Sequence, residues 1–199
     1  MELSTLSLAL GSSLTAGLNL YLTVLTLGLA HRFEYFTLPS SLEILSHPWV
    51  LGVAAVLLFI EFFADKIPYI DSAWDFAQGF IRIPAGIVLA ASAVGEVPTH
   101  YVWMAGLAGG FVSFTSHGAK ATTRLAANAS PEPFSNWFLS FFEDGLSLIV
   151  LLLIVFFPTL ALILIFALLI TAVVLIFIFF RFFRKIFQRR AARRAAAQA

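Results

Sequence analysis

Residues 159–180 read TLALILIFALLITAVVLIFIFF, and no charge appears until Arg181. At 1.5 Å per residue this run reaches about 33 Å, enough to cross a hydrocarbon core roughly 30 Å thick. Inside lipid every backbone N–H and C=O must pair internally, which leaves helices or a closed barrel. The run is continuous, with none of the ten-residue alternation of barrel strands, so it predicts a transmembrane helix.

The rest of the chain agrees with that solvent. Of 199 residues, 60% are hydrophobic and only 12% are charged, with a mean hydropathy of +0.95. A soluble domain is about 45–50% apolar and about one quarter charged. Too little charge remains to wet a globule of this size, which excludes an ordinary cytosolic enzyme, a disordered chain and a nucleic-acid binder. Cysteine is absent, so disulfides and thiolate chemistry are excluded as well. No Lys or Arg precedes Arg32, so residues 3–30 lack the basic start of a cleaved signal and are expected to be retained as a span.

Five further apolar segments lie upstream. They run over about 3–30, 48–64, 83–95, 101–120 and 136–157. The first is interrupted by Gly11, Gly17 and Gly28 and carries Asn19; the third is short, between Pro84 and Gly95. The expected fold is an all-α membrane protein of about six helical segments, some short or broken, with segments one, three and four open to a re-entrant arrangement. Residues 1–180 form the polytopic domain and 181–199 a basic tail.

Charge is unevenly spread. Residues 1–180 hold five basic and eleven acidic groups, whereas the last nineteen positions hold seven Lys or Arg. With six crossings and the tail in the cytoplasm, Lys66, Arg82, Lys120, Arg124 and the seven tail cations fall inside, and Arg32 alone falls outside. The positive-inside rule then places both termini in the cytoplasm, across a bacterial inner membrane. The tail is suited to anionic lipid headgroups, each basic residue contributing about 1 kcal/mol near such a surface. Lipid is the nearer polyanion, so no nucleic-acid partner is expected.

Several charges sit where lipid would penalise them by about 2.5–3.5 kcal/mol each. Glu143 and Asp144 lie seven and eight residues into the fifth segment. They form either a mid-span pair or the first turn of a helix beginning near 144, where they would complement its dipole. Gly145 follows, and would let another backbone approach. Ser113, His117, Lys120 and Arg124 share one helix face. That face can bind an anion or pair with Glu143 and Asp144, although Arg124 fits snorkelling to the interface better and His117 fits an interhelical hydrogen bond.

A third cluster holds Glu61, Asp65, Lys66, Asp71, Asp75, Gln78 and Arg82. Pro68 breaks the preceding span, so 70–82 reads as an interfacial helix whose stripe 71, 75, 78, 82 follows one face. Asp71 and Asp75 fit a proton site or, equally, solvated loop charge. Asp65 beside the Pro-containing break and Glu61 one turn deeper are stronger candidates. Phe62-Phe63-Ala64-Asp65 reappears as Phe141-Phe142-Glu143-Asp144, a candidate internal repeat of the kind that builds transporters. Neither an enzyme motif nor metal-site spacing accompanies these residues, so no catalysis, metal or cofactor is expected.

The stretches Gly17-Leu18-Asn19-Leu20-Tyr21, Glu61-Phe62-Phe63-Ala64-Asp65-Lys66-Ile67-Pro68-Tyr69-Ile70-Asp71-Ser72-Ala73-Trp74-Asp75, Ser116-His117-Gly118-Ala119-Lys120-Ala121-Thr122-Thr123-Arg124 and Phe142-Glu143-Asp144-Gly145 carry a family resemblance. The sequence resembles a family of small bacterial integral membrane proteins catalogued as domain of unknown function 4126, over roughly residues 5–157. The resemblance implies a membrane address and no activity. It singles out the same charged residues as the insertion costs.

Two functions remain in view. In the first, the chain is a transporter or channel for a small solute or ion. Its binding site comprises Asn19, Glu61, Asp65, Lys66, Asp71, Asp75, Arg82, His117, Lys120, Arg124, Glu143 and Asp144 around the midplane. In the second, it is a non-transporting scaffold or lipid-organising protein whose charges form structural pairs. An intramembrane lipid enzyme is the least supported alternative, and a homodimer would enlarge the volume that six thin helices enclose.

Overall fold

The computed structural model describes residues 2–67, 69–128 and 133–196, with side chains beyond Lys185 described only at Gln188. Pro68, the expected break, lies outside the described residues. Six helices follow one another: α1 (Leu3–Arg32), α2 (Pro48–Ala64), α3 (Ile70–Ala93), α4 (Thr99–Asn128), α5 (Pro133–Phe156) and α6 (Pro158–Ala196). A 3-10 turn, Ser40–Ser46, leads into α2. No strand occurs among the described residues. By length and composition Leu3–Arg32, Ile70–Ala93, Phe134–Phe156 and Pro158–Lys185 can each cross a membrane. The 3-10 turn and α2, bent by 61°, make a fifth such unit. The molecule is a multi-pass helical membrane protein.

The helices are antiparallel where the chain folds back tightly. Gly95, at φ +67°, takes the left-handed conformation that turns α3 into α4. Helix α4 spans 30 residues, about 45 Å, but is too polar to count as an apolar span. Its polar residues turn inward instead: Ser113, Ser116, His117, Lys120 and Arg124 are all buried. Small residues bring its neighbours close. A Cβ on Gly109 would collide with Ala90 of α3 and crowd Ser13 Oγ of α1, and one on Gly17 would collide with Ser116 and press on the Ser113 carbonyl. Close backbone approach of this kind is how helices associate in lipid, where no hydrophobic drive separates one apolar surface from another.

Several expectations need correction. The interfacial helix 70–82 and the short span 83–95 are one helix, α3, with Pro84 inside it. The missing N–H of proline costs one hydrogen bond, which neighbouring helices compensate within a bundle. The stripe Asp71, Asp75, Gln78, Arg82 is buried throughout. Solvated loop charge is therefore excluded for Asp71 and Asp75, because α3 turns that face toward the other helices.

The second correction concerns α1. The glycines stay helical; the break is at Asn19, with φ −148° and ψ 97°. Before the break, Gly11 lies against Ile154 and Ile165, and Ser13 Oγ donates to Gly86 O at 2.8 Å. After it, Gly28 lies against Leu45 and Leu51, and Ser41 Oγ donates to Ser92 O at 2.7 Å. Ile154, Ile165 and Ser92 all belong to one end of the bundle, where α3 and α5 finish and α6 begins. Both arms of α1 therefore return to that end. Helix α1 is a hairpin inserted between the others, with Asn19 at its tip.

A hairpin adds no net crossing. The first described residues lie at one end of the bundle and the basic end of α6 at the other, which removes the six-crossing count that placed both termini together. Gly145 also departs from expectation. It is exposed, with nothing within 4 Å of where its Cβ would lie, so no backbone approaches there.

Candidate functional site: an ion network at the tip of a broken helix

The break in α1 leaves polar backbone inside the bundle, and side chains satisfy it. Asn19 caps the second arm: its Oδ1 accepts from Leu22 N at 2.9 Å and its carbonyl from Thr23 Oγ1 at 2.8 Å. Its Nδ2 donates to Asp144 Oδ1 at 2.9 Å. The carbonyl of Leu18, at the C-terminal end of the first arm, accepts from Lys120 Nζ at 3.1 Å. Each arm thus presents the dipole end that suits its partner, negative toward the ammonium and positive toward the carboxylate.

Lys120 is fully surrounded. Besides Leu18 O, its ammonium lies 3.2 Å from Asp65 Oδ2, 3.3 Å from Glu61 Oε1 and 3.4 Å from Asp75 Oδ1. Glu143 Oε2 stands at 3.7 Å. Arg124, one turn on, donates to Asp65 O at 2.7 Å, to Asp65 Oδ2 at 3.0 Å and to Glu143 Oε2 at 2.6 Å. Asp71 Oδ2 is 3.8 Å from it. Arg82, mid-way along α3, pairs with Glu61 and with Asp75 Oδ1 at 3.1 Å. Arg124 has no exposed side-chain surface, which corrects the snorkelling expectation: it spends its donors on α2 and α5 rather than on water.

Glu143 sits ten residues after the start of α5, about 15 Å along it, so the pair is not in a first helical turn. Asp144 and Lys66 form the half-buried rim. Lys66 Nζ donates to Phe62 O at 2.9 Å and lies over the Phe62 and Phe141 rings, 3.0 and 4.7 Å from their centroids. Partial burial holds its pKa below the usual lysine range, with Asp144 and Asp65 pulling the other way. The two Phe-Phe motifs therefore meet, Phe62 against Phe141 at 5.9 Å.

Among the described residues five buried carboxylates (Glu61, Asp65, Asp71, Asp75, Glu143) face three buried cations (Arg82, Lys120, Arg124). Asp144 and Lys66 offset each other at the rim, so the buried carboxylates outnumber the buried cations by two. Glu61 Oε2, Asp65 Oδ1 and Asp75 Oδ2 are buried without a hydrogen-bond partner. A buried carboxylate oxygen left unpaired costs about 1–3 kcal/mol or more. No group of three or more metal-ligating side chains in metal geometry occurs among the described residues.

All twelve candidate residues lie in or beside this network, and it extends from the α2–α3 turn to mid-bundle rather than sitting at the midplane alone. His117 is the outlier. It packs its ring over Gly79, and its Nδ1 has no partner. Sequence reading missed Tyr21, whose hydroxyl pairs with Gln78 at 2.7–3.0 Å. It also missed Asn128, which holds both Asp71 oxygens at 3.0 and 3.1 Å, and Asn136, which donates to Asn128 at 2.8 Å. Spacing could have found them, since Asn128 is one turn beyond Arg124 and Asn136 one turn before Ser140.

Two cavities reach the network from opposite sides of α4. One of about 350 Å³ lies between α3 and α4 and touches Asp75, His117 and Arg124. The other, about 180 Å³, lies among α1, α4, α5 and α6 and touches Lys120 and Glu143. A family model described as Domain of unknown function (DUF4126) matches residues 6–177. No curated protein and no solved structure matches the chain.

Proposed function

The chain belongs to the family of the domain of unknown function DUF4126, and from that premise we propose that it is a small transporter or channel whose cargo meets the buried ion network. The observation that carries the reading is the excess of two carboxylates over cations at the tip of a broken helix, with three carboxylate oxygens unpartnered. Ionisable groups inside a membrane mark ion and substrate paths because their burial is otherwise so costly. Discontinuous helices whose arm ends face such groups are a recurrent way of building a transport site. The cavities on either side of α4 supply two approaches to one network.

The basic end of α6 lies in the cytoplasm in this reading, with exposed Arg181, Arg184 and Lys185 against anionic headgroups of a bacterial inner membrane. The first arm of α1 then starts outside. The reaction is movement across the bilayer, with no covalent chemistry.

The hydrogen bonds that tie Arg124 to α2 and α5 favour a second reading, a scaffold whose charges are structural pairs. Flux separates the two. In proteoliposomes the wild type is expected to move protons or a member of a broad ion and solute panel, and Asp144→Asn to abolish that flux while remaining monodisperse. A wild type that moves nothing, with a mutant that only aggregates, supports the scaffold instead.

A further inference from the structure

We propose that the cavity among α1, α4, α5 and α6 is a binding site for a hydrophobic organic cation, with the cation head against Glu143 and the apolar body against α6. This deepens the transport reading by naming a cargo class, and it rests on that reading for the movement but not for the binding.

The walls come from Leu14 of α1, Leu146 of α5 and Leu168 and Leu175 of α6. Water gains little there, because such a surface offers it no partners. An apolar body gains by burial, at roughly 25 cal/mol per Å². The outer rim is exposed Phe142, Thr171 and Leu175, which face the bilayer, so a lipid-dissolved molecule reaches the cavity sideways.

The inner end of the cavity is polar and signed. Lys120 and Glu143 both line it. The ammonium of Lys120 is enclosed by Leu18 O and by carboxylates of Glu61, Asp65 and Asp75 at 3.1–3.4 Å. Glu143 engages Arg124 and Lys120 through Oε2, and its side chain keeps 9% of its surface accessible. The network behind it holds two more carboxylates than cations. A cationic head is therefore attracted and an anionic one repelled, while a neutral body of the same shape gains only burial.

Octylamine, protonated at neutral pH, has the required form, and octanol and octanoate share its chain with a neutral and an anionic head. Binding of radiolabelled octylamine is measured to the protein in nanodiscs of zwitterionic lipid, with empty nanodiscs subtracted. Saturable binding displaced by unlabelled octylamine, but at least tenfold less well by octanol or octanoate, is expected. Glu143→Gln should weaken it at least tenfold. Ala172→Phe, which fills the cavity from buried Ala172 of α6 without touching a charge, should abolish it. If Glu143→Gln does not fold, the filled cavity decides the matter.

Binding that does not saturate, that octanol displaces equally, or that persists in Ala172→Phe overturns the site. Saturable octylamine binding with no flux of octylamine or any panel solute leaves the site standing and overturns transport. Flux of an inorganic ion with no saturable octylamine binding does the reverse.

Discussion

Asp65 and Glu143 accept from the same nitrogen, Nη2 of Arg124, at 3.0 and 2.6 Å. One residue caps α2 and the other lies ten residues into α5, so a single guanidinium ties together helices far apart in sequence. Arg124→Met removes the cation and leaves both carboxylates buried. Breaking a buried pair from one side costs about 3–5 kcal/mol. Arg124→Lys should recover little, because an ammonium cannot reach the Asp65 carbonyl, the Asp65 carboxylate and Glu143 with the planar fork these sites require. Unfolding in detergent by denaturant titration would measure both, and a full rescue by lysine would show that charge alone matters.

Lys120 behaves as a tethered cation. Its ammonium has four oxygens at 3.1–3.4 Å, one of them the carbonyl freed by the break in α1. Lys120→Ala should destabilise by a similar ~3–5 kcal/mol, and millimolar methylammonium should restore part of the lost thermal stability. Sodium and tetramethylammonium, differing in size and hydrogen-bond donors, should restore less. Equal recovery with all three salts would reduce the effect to screening.

Much of this site was legible as spacing. Asp71-Asp75-Gln78-Arg82 on α3, Ser113-His117-Lys120-Arg124 on α4 and Asn136-Ser140-Glu143-Ser147 on α5 share one interval pattern, and every member is buried. A polar stripe on one face of a long helix in lipid must find a partner stripe, and three such stripes find one another. The depth of Asp71 and Arg124 was less legible. A charge near a loop in sequence reads as wet unless the tertiary fold turns its face inward. Re-entry of segment one was among the expectations, but the place of its reversal was hidden for a related reason. The glycines drew attention, whereas the break occurs at Asn19, whose side chain supplies the cap that makes a sharp reversal affordable.

The hairpin makes a topological prediction that the absence of native cysteine renders clean. Single substitutions Ser4→Cys, Arg32→Cys and Arg184→Cys place thiols at the two arm ends of α1 and near the end of α6. A membrane-impermeant maleimide applied to sealed spheroplasts should label the first two alike. Arg184→Cys should react only after the membrane is opened. Labelling of Ser4→Cys and Arg32→Cys from opposite faces would mean that α1 crosses, and the hairpin would be wrong.

Glycines divide into two kinds, and substitution should separate them with opposite signs. A Cβ on Gly109 would strike Ala90 of α3 and press on Ser13 of α1 where three helices converge. Gly109→Val should therefore wedge the bundle apart, at about 1–3 kcal/mol or more for overpacking. Gly145 is mid-helix with no neighbour within 4 Å of its Cβ position. Gly145→Ala removes the flexibility that weakens a helix interior and should stabilise by up to about 1 kcal/mol. Thermal denaturation followed by circular dichroism in one detergent compares the two directly. Loss of stability at Gly145→Ala would mean that something packs against α5 there after all, and the exposed face beside Glu143 and Asp144 would have to be treated as an interface.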